Sequence, residues 1–154
     1  PIGLTVIKIA TKADLQTALT WPADADEFKL WFGDNIAFGS QVDTIWMQIK
    51  ADERATFAFY DQQQLQGFGQ CYQKQPGARH IACLIVNAAC RGQGLGRRFV
   101  TELMQQALAQ DDVDYITLNV YPENIPARRL YSDLGFREVG ETRGMVSMQY
   151  DRPG

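Results

Sequence analysis

The pattern of apolar and polar residues along the 154-residue chain predicts an alternation of strands and helices. A β-branched stretch at 4–10 predicts a first strand, and residues 12–20 predict a short helix. Asp24 can cap a second helix that ends at Gly33, and residues 41–50 predict a further turn or two of helix. The N-terminal part of the chain therefore contains one strand followed by short helices.

The rest of the chain predicts a sheet with two further helices. Short apolar and β-branched runs predict six more strands, at 56–60, 65–72, 80–87, 114–121, 136–139 and 145–150. The run at 80–87 is almost continuously apolar, as expected of a strand buried on both faces. Apolar residues at helical spacing predict a long helix at 94–110 and a compact helix that presents Ala127, Leu130, Tyr131 and Leu134 on one face. We expect an α/β (α+β) fold around a mixed sheet of six or seven strands, in a single domain over residues 1–154.

Composition and charge narrow the class of protein. No apolar run approaches the roughly 20 residues of a membrane helix, and residues 1–7 lack the basic start of a signal peptide. We therefore expect a cytoplasmic protein with no membrane partner. The net charge of −3 argues against nucleic-acid binding. The acidic excess lies in residues 1–78. It would suit a cationic acceptor, and the alternative is a solvated acidic face.

The cysteines and the one histidine bear on metal binding. Cys71, Cys83 and Cys90 form no CxxC pair, and Cys83 lies in an apolar run where a free thiol behaves as a small hydrophobic side chain. His80 is the single histidine, so the usual Cys/His zinc sites cannot be assembled. We expect no metal.

The sharpest motif follows the buried strand that ends at Val86 and Asn87. It is the glycine-rich loop Arg91-Gly92-Gln93-Gly94-Leu95-Gly96-Arg97, which leads into the long helix. Glycines allow close approach of the backbone to a ligand, and helix N-terminal amides and the helix dipole favour an anion. Arginines add positive charge, so a pyrophosphate is a natural ligand.

Other glycine-rich motifs fit this loop less well. A dinucleotide fingerprint that starts at Gly92 would place Arg97 at its third glycine, and no Gly-Lys-Ser/Thr tripeptide of a Walker loop occurs. A purely structural connector between strand and helix remains an alternative for the loop taken alone.

Two segments together resemble a known family. Arg91-x-x-Gly94-x-Gly96 resembles the [Q/R]-x-x-G-x-[G/A] pyrophosphate motif of the GNAT superfamily, acyl-CoA-dependent N-acetyltransferases. Residues 124–136 resemble its second signature, N-x-x-A-x-x-L-Y-x-x-L-G-F, in the right order and separation. The resemblance covers residues 80–140 well, whereas residues 1–79 match only in the order of their elements. One small departure is Ala88, where the family often has proline.

The resemblance implies a GNAT-like fold and an acyl-CoA donor. It implies a mostly antiparallel sheet with helices on both faces and with strands four and five splayed apart around the pantetheine of acetyl-CoA. Backbone groups of Leu84 and Val86 would bind the pantetheine and polarise the thioester carbonyl. The cofactor-binding loop would consist of Arg91, Gly92, Gln93, Gly94, Leu95, Gly96 and Arg97, and Asn124 would contact the pantetheine side of the cofactor.

The resemblance also assigns catalytic roles. Tyr131 resembles the general acid that protonates the departing CoA thiolate, although its helical spacing is equally that of a core residue. His80 opens the strand that leads to the cofactor loop and is a candidate base acting through water; the alternative is a hydrogen-bonded strand residue. Asn124 can also be read as an N-cap of the compact helix.

The acceptor is less defined than the donor. The resemblance implies transfer of an acetyl group to a primary amine, of a small molecule or of a peptide N-terminus or lysine, by direct attack in a ternary complex. The alternative is a non-catalytic acyl-CoA-binding regulatory or interaction domain. Members of the family are often dimers, so a homodimer is compatible with the resemblance.

Overall fold

The computed structural model describes residues 4–88 and 94–154. The elements follow in the order β1 (Thr5–Ile9), α1 (Lys12–Ala18), α2 (Ala25–Phe32), α3 (Val42–Gln48), β2 (Thr56–Asp61), β3 (Gln64–Tyr72), β4 (Ala78–Val86), α4 (Leu95–Leu108), β5 (Tyr115–Val120), α5 (Ile125–Asp133), β6 (Arg137–Thr142) and β7 (Met145–Asp151). Within the described residues, seven strands form one sheet in the order β1-β2-β3-β4-β5-β7-β6.

The sheet is mixed. Strands β4 and β5 are parallel, whereas the pairs β1–β2, β2–β3, β5–β7 and β6–β7 are antiparallel. The parallel pairing joins Ala78–Ile81 of the nine-residue β4 to the start of β5. The predicted fold class, a mostly antiparallel mixed sheet in an α/β chain, is therefore confirmed.

The chain divides into two compact units, each made of two separate stretches. The first contains the residues up to Gln70 together with Cys83–Phe99, and the second contains Cys71–Ala82 and Val100–Gly154. The prediction of a single domain over residues 1–154 stays a prediction.

Short helices cover one face of the sheet in the first unit. Helix α1 begins with a capping box, in which Asp14 N donates to Thr11 Oγ1 (3.2 Å) and Thr11 N donates to Asp14 Oδ2 (2.9 Å). Helix α2 has Asp24 as its N-cap and ends at Gly33, as predicted. The three helices share one apolar core with three fully buried strand residues, Ala58, Phe68 and Ile85.

Helix α4 packs on the opposite face of the same strands. Phe59 and Gly67 pair with each other and neighbour Ala58 and Phe68 in sequence, so they point away from the short helices. The ring of Phe99, in α4, stacks on Phe59 with 5.1 Å between ring centroids. Helices therefore lie on both faces, as the resemblance implied.

In the second unit, β5 shows the alternation expected of a strand with one buried face. Ile116, Leu118 and Val120 are buried, and the residues between them are half-buried. Leu118 pairs with Met148 of β7, which is also buried. Among the described residues, no helix has the length and apolar character needed to cross a membrane.

The C-terminus of α5 packs closely against β7. Gly135 has a φ of +103°, and a Cβ at this position would lie 3.0 Å from Cε2 of Tyr150. The backbone conformation therefore favours glycine, and the close approach to the Tyr150 ring adds to that preference.

Candidate functional site

The predicted cofactor loop lies between β4, which ends at Val86, and α4, which begins at Leu95. Of its seven residues, Gly94, Leu95, Gly96 and Arg97 are described, whereas Arg91, Gly92 and Gln93 lie outside the described residues, as does Cys90. The strand and the helix that should flank the loop are both present.

Gly94 directs the chain into α4. Its φ is +76°, a left-handed conformation that L side chains rarely adopt, and no atom of the described residues lies within 4 Å of a Cβ built at this position. Its carbonyl oxygen accepts the Arg98 backbone N–H at 3.1 Å. The need for glycine here is therefore conformational rather than steric.

The N-terminus of α4 is electrostatically suited to an anion. The helix is 14 residues long, and its first turn contains no acidic residue. Arg97 and Arg98 are exposed in that turn. The amides of a first helical turn, the helix dipole and the two guanidinium groups all favour a phosphate-like group.

Strand β3 binds Asn87, the residue that directly follows β4. The Asn87 backbone N–H donates to the Gln66 carbonyl oxygen at 2.9 Å, and Asn87 Nδ2 donates to Gln66 Oε1 at 3.2 Å. Gln66 is 8% exposed. Gln66 is not among the residues predicted from the sequence, although a glutamine near the start of a predicted strand is a usable signal.

Strand β4 contains a residue with an unusual backbone conformation just before Leu84 and Val86, the predicted pantetheine-binding residues. Cys83 has a φ of +52°, which is uncommon for any residue other than glycine. Burial raises the pKa of its thiol to about 12, although the positive charge of Arg54 acts to lower this pKa. The thiol is therefore protonated near neutral pH, and the half-buried Leu84 and Val86 follow this change of backbone direction.

Tyr131 lies in α5 and is 7% exposed. Its ring meets Phe136 edge-on, with centroids 5.9 Å apart. Burial raises the pKa of the phenol well above its ordinary value of 10.0. The hydroxyl is therefore protonated at any working pH and can donate a hydrogen bond.

Asn124 is the N-cap residue of α5, yet its side chain makes no capping hydrogen bond. The Arg128 backbone N–H donates to its carbonyl oxygen at 3.1 Å. The predicted N-cap position is correct, and the half-exposed side-chain amide is not used in capping.

His80 is an interior residue of β4 and is 6% exposed. Its Nδ1 lies 2.7 Å from Thr117 Oγ1 on the neighbouring strand, and the Tyr72 ring meets it edge-on at 5.8 Å. This geometry supports the structural interpretation of His80, and its role as a base stays a prediction.

The predicted site residues are distributed over both units. The first contains Leu84, Val86 and the described part of the loop, and the second contains His80, Asn124 and Tyr131. In the parts of the chain that the structure describes, no three His, Cys, Asp or Glu residues are grouped as metal ligands.

Aromatic residues of the early helices belong to the core of the first unit. Phe32 and Trp46 are buried, and Trp21 and Trp31 pack against the same core. These four side chains are therefore part of the packed core of the first unit.

Comparison with known proteins decides the family. The model of the acetyltransferase (GNAT) family matches residues 15–136, most of the chain. The chain belongs to the GNAT family. The resemblance drawn from its two motifs is confirmed, and membership supports the predicted class of enzyme, an acyl-CoA-dependent N-acyltransferase.

The curated relatives of this GNAT chain are matched over short stretches. An aminoglycoside N(6′)-acetyltransferase type 1 of Klebsiella pneumoniae is 35% identical over 65 residues, which are 42% of this chain. The match spans 32% of that relative's length, about a third.

Solved structures share the GNAT fold over nearly the whole chain. AAC(6′)-Ib in complex with ribostamycin and coenzyme A has a TM-score of 0.78 at 24% identity, covering 96% of this chain and 93% of that one. A ribosomal-protein-alanine N-acetyltransferase from Brucella melitensis has a TM-score of 0.73 at 21% identity, covering 96% and 99%. At these identities the likeness shows the fold.

Proposed function

We propose that this GNAT chain transfers an acetyl group from acetyl-CoA to a primary amine by direct attack in a ternary complex. The observation that carries the proposal is the start of α4, where left-handed Gly94 leads into a helix turn with two arginines and no acid. Such a terminus suits the pyrophosphate of CoA.

The donor would be bound mainly through the backbone. Amides from Gly92 to Arg97, with the side chain of Arg91, would hold the pyrophosphate. Backbone groups of Leu84 and Val86 would bind the pantetheine and polarise the thioester carbonyl, which stabilises the negative charge that develops on its oxygen. The Asn124 side-chain amide would contact the pantetheine side of the cofactor.

The transfer forms a C–N bond and breaks the C–S bond. The neutral amine attacks the thioester carbonyl, and the tetrahedral intermediate expels the CoA thiolate, which takes its proton from the Tyr131 hydroxyl. The amine loses its proton to water or a base, for which His80 is the candidate through water. Because burial raises the pKa of Tyr131, its hydroxyl would act first as a hydrogen-bond donor to the developing thiolate.

The acceptor class is a primary amine of a small molecule or of a peptide. Fold neighbours include one complex with ribostamycin and one enzyme named for ribosomal-protein alanine. Both acceptor types therefore belong in a screen that detects CoA thiol release.

Replacing Tyr131 by Phe removes the donor and is expected to lower kcat by about 100-fold, within the range of general-acid contributions. Steady-state kinetics with acetyl-CoA and the best amine of the screen measure the effect. Tyr150→Phe is the matched control, because Tyr150 also packs on Phe136 and has no assigned role. An unchanged kcat in the Tyr131 variant would remove this residue from the mechanism.

Binding without turnover is the alternative outcome. Acetyl-CoA at 100 times its Kd should stabilise the wild-type protein by about 2.7 kcal/mol. Stabilisation with no thiol release from any amine would indicate a non-catalytic acyl-CoA-binding domain. Stabilisation by NAD or ATP but by neither CoA species would contradict the proposal.

A further inference from the structure

We propose that Asn119, Ser147 and Thr142, which we call the polar row, select the amine acceptor. The row would accept a hydrogen bond from a hydroxyl or ammonium group that the acceptor carries in addition to its reacting amine. The inference rests on the proposed function, because it names the class of acceptor for the same transfer. That class is a primary amine with a second hydrogen-bond donor, as opposed to a simple alkylamine.

The polar row crosses three neighbouring strands, β5, β7 and β6. Ser147 Oγ donates to Asn119 Oδ1 at 2.9 Å, and Thr142 Oγ1 lies 2.8 Å from Ser147 Oγ. A serine hydroxyl has one proton, and here that proton is directed to Asn119, so Thr142 must donate to Ser147. The Thr142 oxygen therefore presents lone pairs, and not a proton, to a bound molecule.

Gly140 leaves a recess beside the polar row. It pairs with Ser147 across β6 and β7, so a side chain at position 140 would point to the same side of the sheet as the Ser147 hydroxyl. Among the described residues, none lies within 4 Å of a Cβ built at Gly140. Because Thr142 is exposed and Ser147 is only half-buried, a polar group of a ligand can enter this recess and reach the row.

The polar row lies on the same face of the sheet as the candidate base, His80. His80 pairs with Thr117 in register, and His80 Nδ1 lies 2.7 Å from Thr117 Oγ1. Residues two positions apart on a strand share a face. Asn119 follows Thr117 by two positions on β5, so its side chain points to this face as well.

Tyr131, the candidate general acid, lies on the other face. Tyr150 pairs with Ile116, which belongs to the buried face of β5. Phe136 contacts the rings of Tyr150 and Tyr131, with centroids 5.7 and 5.9 Å apart. In the proposed transfer the base acts on the amine and the acid acts on the departing thiolate. The acceptor should therefore approach from the face of the candidate base, which also carries the polar row.

The test compares amines that differ only at their far end. Matched primary amines over a range of chain lengths carry a hydroxyl, an ammonium or a methyl group there. The wild-type kcat/KM should be about five-fold higher for the best hydroxyl- or ammonium-terminated amine than for its methyl-terminated counterpart, as expected of one net hydrogen bond. The preferred end group identifies the source of the donor.

Thr142→Val keeps the shape of the side chain and removes the oxygen. It should abolish this preference and leave both the kcat/KM for methyl-terminated amines and the KM for acetyl-CoA unchanged. Thr142→Ser retains a hydroxyl and should retain the preference. Thr44→Val is the matched control, because Thr44 is also exposed but lies in α3, and it should retain the preference as well.

Gly140→Val supplies a second readout. It leaves every group of the polar row in place but fills the recess, so it should reduce the same preference. An NMR titration measures binding separately from turnover. The backbone amide signals of Gly140 and Thr142 should shift with the preferred amine and stay in place with its methyl-terminated counterpart.

Three outcomes would overturn the inference. They are equal kcat/KM values for the three kinds of amine, a preference that persists in Thr142→Val, or amide signals of the polar row that no amine shifts. Failure of the proposed function is a separate result, because the wild-type protein would then release no CoA thiol with any amine. The NMR titration would still test the polar row in that case.

Discussion

At Gly94 the backbone alone imposes the choice of residue. Among the residues that the structure describes, none comes within 4 Å of a Cβ at this position, and its φ of +76° disfavours an ordinary side chain. Gly39 has a similar conformation, with a φ of +88° and equally open space, but it lies between α2 and α3 rather than in the cofactor loop. The two glycines therefore carry the same backbone constraint at different places.

Replacing Gly94 by Ala should cost about 1–2 kcal/mol of backbone strain. If the chain relieves that strain by changing the loop, the Kd for CoA rises by about five- to thirty-fold. Isothermal titration calorimetry measures the change. Gly39→Ala should lower the melting temperature to a similar extent and leave the Kd for CoA as it is. Equal CoA affinity of the Gly94 variant and the wild-type protein would contradict a role for this residue in shaping the loop.

Sequence patterns indicated the conformation or burial of some site residues but not of others. The glycine spacing pointed to Gly94, and helical periodicity placed Tyr131 on the apolar face of α5, where it is buried. No sequence pattern indicated the positive φ of Cys83, because a cysteine in an apolar run is compatible with a regular strand. The bond from Asn87 to Gln66 joins residues 21 positions apart, a relation that depends on strand register rather than on local pattern.

At the scale of elements, the bounds of helices and strands were predicted well where one face of the element is buried. Helix α4 and strand β5 were placed within two residues of their observed ends, because their apolar periodicity reflects real burial. Strand β6 was predicted to end at Val139 but continues to Thr142. All six of its residues are exposed, so the strand carries no alternation of burial that its sequence could show.

The contact between β3 and α4 gives a prediction at this scale. Gly67→Ala should lower the melting temperature markedly, since overpacking a buried site typically costs about 1–3 kcal/mol and the Phe99 ring is fully buried against Phe59. A second substitution, Phe99→Leu, should recover part of the loss in the Gly67→Ala background although it destabilises the wild-type protein. Thermal unfolding followed by circular dichroism measures both.

The control for this packing effect is Gly140→Ala, also in a strand, where a Cβ would meet nothing within 4 Å. Its melting temperature should be close to that of the wild type. Strict additivity of Gly67→Ala and Phe99→Leu would show that the two positions do not compete for the same space.

At the scale of the whole molecule, each unit contains a protected thiol. Burial raises the pKa of Cys71 from 9.0 to about 11, with an opposing effect of Arg79, and that of Cys83 to about 12. An unfolded thiol loses its proton near pH 9, whereas the folded protein retains it. Stability is therefore fully present below pH 9 and is lost as the pH rises toward these values.

Each such thiol should contribute up to about 1.4 kcal/mol of lost stability per pH unit in this window. We expect the melting temperature to fall steeply between pH 9 and pH 11. Cys71→Ser removes one titrating group, so its melting temperature should fall less steeply, whatever its value at pH 8. Parallel curves for the variant and the wild type would contradict a protected thiol at position 71.

The division into units has a consequence for the order in which the chain can fold during synthesis. The first unit needs Cys83–Phe99 in addition to the residues up to Gln70, and the second needs both Cys71–Ala82 and the stretch from Val100 onward. Neither is a continuous segment, so neither can be released from the chain by cutting at one point. While the ribosome makes residues 71–82, which belong to the second unit, the first still lacks a strand end and the start of a helix. The nascent chain must therefore keep its early apolar helices in an incomplete state until residue 99 has emerged.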